Sequence, residues 1–287
     1  MGTISKLSSL VKLEHTVFAL PYAYAGMVLG AADAGVDVTV SLVVWITVAM
    51  VGARTLAMGL NRLIDAGIDA RNPRTADREL VTGALQRSQV WVLCAVSLAL
   101  LVLATFQLDP LTRVLWPVPV ALFVLYPYAK RFTWACHLLL GISIGLAPLA
   151  AWIAAGGSGA DPVPYLVWLG VATWIGGFDV IYATADIDFD RANGVHSIPA
   201  RFGIARALTI VRVLHVLTVA LFAAAGVLSG FGIAYWIGLA IAAALLAWEN
   251  SIVSAEDMSR IDKAFFTVNS YVGVVLGAAL IAGSLLD

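Results

Sequence analysis

Nine apolar stretches, most of them near 20 residues, follow one another along the chain at about 15–32, 39–62, 89–108, 112–128, 134–155, 164–185, 208–229, 231–249 and 268–286. A helix needs about 20 such residues to cross the hydrocarbon core of a bilayer. In that core every peptide N–H and C=O must be satisfied within the segment, which leaves helices as the solution for runs of this length. The expected fold is all-α, a multi-pass transmembrane bundle of nine helices. Only 12% of the chain is charged and 61% is hydrophobic, whereas a soluble domain carries about 25% charged residues. A net charge of −1 with no long basic tract leaves no footprint for nucleic acid. The lipid bilayer is the expected surrounding.

The connections give each stretch a side. Lys6 and Lys12 precede the first. Arg71, Arg74, Arg78 and Arg87 follow the second, Lys130 and Arg131 the fourth, Arg191, Arg201 and Arg206 the sixth, and Arg260 and Lys263 the eighth. The intervening connections hold Asp33 and Asp37, then Arg113 alone, then Asp161, then no base near Gly230, and none at Asp287. Basic and base-poor loops alternate without a break, so the positive-inside rule places the N-terminus and all the basic loops in the cytoplasm. A missed or invented helix would invert every later loop. The start of the chain imitates a signal peptide, but Pro21 and Tyr22 inside the run, and its beginning at Glu14-His15, favour a retained first helix.

Two of the basic loops are entered by a repeated acidic pattern. Asn61, Asp65 and Asp69 stand at i, i+4 and i+8, and Tyr182, Asp186 and Asp190 repeat the spacing 121 residues later. Residues four apart share a helix face, so each copy is expected to form a column of oxygen atoms at a helix end. Five carboxylates (these four and Asp188) gathered in one pocket repel unless a cation neutralises them. Hard oxygen donors without His or Cys favour magnesium, which prefers a few carboxylates plus phosphate oxygens. The pair of columns therefore reads as a clamp for a diphosphate held through Mg2+. Arg71, Arg74 and Arg78 after the first column suit phosphate oxygens. Lys130 and Arg131, on the same side, suit a diphosphate or a substrate carboxylate. The stretch from Gly194 through Ser197 to Gly203 reads as a turn-rich loop able to cover the site.

Other residues carry blander readings. Gly26/Gly30, Gly141/Gly145 and Gly273/Gly277 let helices approach closely. Cys94 and Cys136 read as small core residues, the tryptophans as an interfacial belt, and His15 and His137 as interfacial packing. His196 lies nearer the chemistry, and His215 is assigned no role.

Together these motifs resemble the UbiA superfamily of intramembrane aromatic prenyltransferases over essentially the whole chain. Asn61, Asp65 and Asp69 match its first motif, followed by Arg74, Thr75 and Arg78. Tyr182, Asp186 and Asp190 match its second, followed by Gly194 and Ser197, and Tyr126 with Lys130 matches its Tyr-x-x-x-Lys signal. Arg62 stands where many members have a second Asp, and Glu79 where Arg-Pro-Leu is usual. The stretches Glu14–Pro21 and Asn61–Asp65 are most similar to the bacterial branch that includes 4-hydroxybenzoate polyprenyltransferases. They are closer still to its relatives in the futalosine route to menaquinone, which prenylate 1,4-dihydroxy-6-naphthoate.

The resemblance implies a single integral-membrane domain over 1–287, in a bacterial-type inner membrane, that transfers a polyprenyl group from a polyprenyl diphosphate to an aromatic acid in quinone biosynthesis. It implies Mg2+ ligands at Asn61, Asp65, Asp69, Asp186 and Asp190, and catalytic roles for Asp65, Asp186, Tyr182 and Lys130. Substrate contacts are implied at Arg71, Arg74, Arg78, Arg131, Tyr126 and Ser197, with Arg131 the candidate for the acceptor carboxylate. The naphthoate is the first expectation, with 4-hydroxybenzoate or another acceptor as the alternative. An ion-coupled transporter is the rival from another class, although its acids would be expected nearer the bilayer midplane.

Overall fold

The computed structural model describes Leu10 and residues 16–285. Lys6, Lys12, Glu14, His15 and Asp287 lie outside the described residues. Among the described residues nine main helices follow in order: α1 Thr16–Ala34, α2 Val40–Asp69, α3 Arg87–Thr105, α4 Pro117–Ala129, α5 Cys136–Ala154, α6 Val163–Ala183, α7 Ile204–Ser229, α8 Ile233–Ser251 and α9 Asn269–Leu285. Seven helical segments among the described residues are long and apolar enough to cross a membrane, and the chain is an integral membrane protein. Helix α4 is the short member. Its 13 residues reach about 20 Å at 1.5 Å per residue, less than the roughly 30 Å hydrocarbon core. The expected fourth segment is split there into Thr112–Leu115 and α4. Pro117 opens α4 in its first turn, where a missing N–H costs nothing.

The helices close a ring. Each of the pairs α2–α3, α2–α4, α4–α5, α5–α6, α6–α7, α7–α8 and α8–α9 is in contact, and α9 returns to α1, which also packs on α5. Close approach comes from the glycine pairs. A Cβ on Gly141 would overlap the carbonyl oxygen of Ala172, and one on Gly26 the carbonyl oxygen of Pro148. A Cβ on Gly277 would press into Pro21 at 2.7 Å. These glycines set the α5–α6, α1–α5 and α9–α1 spacings.

The loops sort to two ends as their charges require. At one end the Ser158 N–H donates to Asp33 at 2.6 Å and the Asp109 N–H to Ala154 O at 3.2 Å, which ties the base-poor loops together. At the other end Lys130 reaches Asp65, and the His196 N–H donates to Lys130 O at 2.7 Å. A π-helical turn, Lys263–Val268, precedes α9. Its widened backbone exposes carbonyls that Asn269 Nδ2 meets, at Ala264 O (2.9 Å) and Phe265 O (3.2 Å).

Replacing Gly141 with alanine should lower the melting temperature in detergent, since forced overpacking costs about 1–3 kcal/mol. Gly67→Ala, where an added Cβ meets nothing within 4 Å, should be neutral or stabilising. Equal melting temperatures for the two variants would contradict the close α5–α6 contact.

Candidate active site

Helix α2 carries the whole first motif, running on to Asp69 rather than ending near 62. Asn61 Nδ2 donates to Asp65 Oδ2 at 3.0 Å, the i, i+4 contact expected of one helix face. The second motif differs from its copy. Helix α6 stops at Ala183, a 3₁₀ turn covers Thr184–Asp186, and a short helix Ile187–Asn193 carries Asp190. The tightened turn breaks the straight column of Tyr182, Asp186 and Asp190. Gly194, at φ 65°, then caps the short helix in the left-handed region that suits glycine.

Basic side chains pair with Asp65, Asp69 and Asp186, and a hydroxyl bonds Asp190. Asp65, 1% exposed, accepts from Lys130 Nζ at 2.7 Å and from Arg131 Nη1 at 3.2 Å. Asp186 takes two bonds from Arg74, one of them from Nε at 2.9 Å, and a third from Asn72 Nδ2 at 3.0 Å. Arg78 Nη1 donates to Asp69 at 2.6 Å, and Ser197 Oγ donates to Asp190 at 2.7 Å. The loop between α2 and α3 thus reaches across to the second motif. Asn72 also accepts the Arg74 N–H, and Thr75 Oγ1 bonds Asp69 O, which folds the loop back on its own helix.

Below the acids opens a cavity of about 1070 Å³, at the top of the range for drug-sized ligands. Asn61, Asp65, Arg74, Arg78, Lys130, Tyr182, Asp186, Asp190 and Ser197 line its polar mouth, and Tyr126 lies on the wall. Its lining on α2 runs from Asp65 back to Ile46, which spans about 28 Å of helix at 1.5 Å per residue. At the far end it meets Leu108, Leu115, Trp116 and Trp168. The shape is an apolar shaft of nearly membrane depth under a charged rim. One wall is aromatic: Tyr182 stacks on Phe265 at 4.1 Å, Phe265 meets Phe178 at 5.3 Å, Phe178 meets Trp174 at 5.5 Å, and Trp174 meets Tyr22 at 5.6 Å. Arg74 covers Tyr182 with its guanidinium 4.6 Å from the ring centre.

Three of the expected site residues stand off the cavity. Asp69 is buried against Arg78. Arg71 is exposed and bonds Gly67 O on its own helix. Arg131 spends its nitrogens on Asp65, Pro127 O and Ile64 O. Among the described residues, no group of three or more His, Cys, Asp or Glu side chains is placed to hold a metal ion; Asp65 is bonded to Lys130 and Arg131, and Asp186 to Arg74.

Three features of the site were not legible as such in the sequence. Arg54 and Arg62 line the cavity from α2, and the buried Nε of each has no hydrogen-bond partner among the described residues. An unpaired buried donor costs about 1–3 kcal/mol, so these two mark a place for an anion. Asn72 ties the two motifs together. His137, read as packing, instead bonds Asp179 at 2.6 Å. The only advance signal for Arg54 was a charge inside an apolar run.

The model of the UbiA prenyltransferase family matches residues 19–271. A 4-hydroxybenzoate octaprenyltransferase of Alkalilimnicola ehrlichii is 33% identical over 232 residues, 79% of this chain and 75% of that protein. The apo structure of a UbiA homolog from Aeropyrum pernix K1 superposes with a TM-score of 0.84 at 34% identity, covering 94% of this chain and 98% of that one. A UbiA homolog from Archaeoglobus fulgidus, bound to GPP and Mg2+, shares the fold with a TM-score of 0.70 at 20% identity, covering 96% and 98%.

Asn72→Ala removes both the bond to Asp186 and the acceptor for the Arg74 N–H. It should speed amide hydrogen exchange across residues 70–86 by about 10-fold or more, from the loss of bonds to a charged group worth about 1.5–3 kcal/mol. Unchanged exchange there would show that the loop is held by other contacts.

Proposed function

The chain belongs to the UbiA prenyltransferase family and is a prenyltransferase, and from that premise we propose that it transfers a polyprenyl group from its diphosphate to 4-hydroxybenzoate. The observation that carries this reading is the join of a charged mouth to a long, mostly apolar shaft, with Arg54 and Arg62 in its wall whose buried Nε atoms have no hydrogen-bond partner among the described residues. A diphosphate, an isoprenoid tail and an aromatic carboxylate each find a matching surface. The relatives named as 4-hydroxybenzoate octaprenyltransferases favour this acceptor over 1,4-dihydroxy-6-naphthoate, which the sequence placed first. Menaquinone synthesis becomes the second reading. Transport falls away with the family assignment.

The donor set at the mouth fits Mg2+. Asn61, Asp65, Asp186 and Asp190 offer oxygen only, and a carboxylate has lone pairs beyond those already bonded to Lys130 or Arg74. A homologue of the same fold binds GPP with Mg2+. When bound, the metal supplies positive charge to the departing diphosphate. Lys130, Arg74 and Arg78 add donors for the same oxygens. In this reading Asp69 anchors Arg78 rather than a metal, and Arg131 positions Asp65. The acceptor carboxylate then belongs to Arg54 and Arg62, which line the cavity together with Tyr126. Tyr182 and Phe265 face the reacting carbon with π-density, and the apolar shaft keeps water from the allylic cation. In this reading the mouth faces the cytoplasm of a bacterial cell membrane, the side that the positive-inside rule favours for its basic loops.

The test is a prenyl-transfer assay with purified protein, Mg2+, a polyprenyl diphosphate and the two acids in parallel. Product from 4-hydroxybenzoate is expected, absent in Asp65→Asn and Asp186→Asn. Arg54→Ala should raise KM for the aromatic acid about 10- to 100-fold, the worth of a charge-assisted bond, and leave KM for the prenyl diphosphate unchanged. Arg131→Ala should act on both substrates through Asp65. An Arg54→Ala enzyme with normal acceptor KM would return the carboxylate to another residue. Product from the naphthoate alone would restore the menaquinone reading.

A further inference from the structure

Asp179 differs from the acids at the mouth. It lies on α6, seven residues before Asp186 and three before Tyr182, which sets it about 10 Å deeper than Asp186 at 1.5 Å per residue. Its neighbours along the same wall are Phe178, Trp174 and Ile175. Asp65 and Asp186 are held by basic side chains and Asp190 by Ser197. Asp179 is held through one oxygen only, Oδ2, at 2.6 Å from His137 Nδ1. Its other oxygen has no hydrogen bond among the described residues, and the side chain stays 24% exposed while that of His137 is 7% exposed. Both residues line the cavity. A carboxylate in an apolar wall, fixed by a buried imidazole and presenting a free oxygen to the cavity, is arranged to accept a proton there. It is not needed for the diphosphate, which lies nearer the mouth.

We propose that Asp179 is a catalytic residue that takes the hydroxyl proton of the aromatic acceptor, and that His137 is its positioning residue. The inference rests on the prenyl-transfer reading above and names a base for it. The acceptor lies with its carboxylate toward Arg54 and its hydroxyl toward Asp179. The O–H bond breaks, the proton passes to Oδ1, and the oxygen lone pair feeds the ring. The ring carbon beside that oxygen forms a bond to C1 of the prenyl chain. The C1–O bond breaks, and its electron pair leaves on the diphosphate. The proton on the attacked carbon then departs to a diphosphate oxygen, which restores aromaticity. The product oxygen recovers the first proton from Asp179. His137 donates Nδ1–H to Oδ2 throughout, which fixes the tautomer and aims Oδ1.

The test compares the acid that the enzyme prenylates with a fluorinated analogue whose phenol is already more acidic. With the natural acid, Asp179→Asn should lower kcat about 100-fold, the usual worth of a positioned base. With the fluorinated acid, the deficit relative to wild type should shrink to a few-fold, because the proton is half gone before binding. KM for the prenyl diphosphate should stay unchanged. His137→Ala should show the same acceptor dependence to a smaller degree, and His137→Gln, which keeps an N–H for Oδ2, should recover much of the rate. If Asp179→Asn does not fold, the two His137 variants decide by the same comparison. A deficit equal for both acids, or a raised KM for the diphosphate, would overturn the role. Wild-type enzyme that prenylates no aromatic acid would instead overturn the reading beneath it.

Discussion

A carboxylate with 1% of its surface exposed is tolerable only while it is paired, and the structure is organised around that requirement at Asp65. Its partners come from elsewhere in the chain, Lys130 and Arg131 in the turn after α4. A buried ion pair adds little net stability, but removing one partner strands a charge at a cost of about 3–5 kcal/mol. The same logic holds the loop after α2, where Arg74 and Asn72 satisfy Asp186 across a separation of more than a hundred residues. Basic residues of the loops at this end thus also pair with the acids. Under the proposed function, an arriving diphosphate would meet both sets at once: donors that now serve the carboxylates, and oxygens available to a cation.

The rest of the fold makes this rim useful. Glycine contacts bring α1, α5, α6 and α9 close enough to form a continuous wall, and the ring of helices leaves a shaft down its centre. The shaft is apolar over most of its depth, so a cation formed near the mouth would be shielded from water and a long tail would meet a largely apolar wall. The π-helical turn before α9 places Phe265 against Tyr182, which carries the aromatic wall up to the charged residues.

Much of this was legible in advance because it depends on local pattern. Nine apolar runs gave nine main helices among the described residues, and the alternating loop charges anticipated which loops share an end. The acid columns were visible because i, i+4 spacing is a property of one helix. What was hidden depends on partners distant in sequence. No spacing rule links Asn72 to Asp186 or His137 to Asp179. The 3₁₀ turn at Thr184–Asp186 broke a column that its twin on α2 kept straight, and nothing in the repeat distinguished the two. Arg54 was hidden by its apolar surroundings, which is also why its unpartnered Nε is informative.

The central claim is that the mouth binds a diphosphate through both its acids and its bases. The most direct measurement is calorimetric titration of geranyl diphosphate into the purified protein, with Mg2+ and with a chelator present. Binding should be at least about tenfold tighter with Mg2+, a difference near 1.4 kcal/mol, and Asp186→Asn should abolish that difference. Equal affinity with metal or chelator, in wild type and variant alike, would contradict the account.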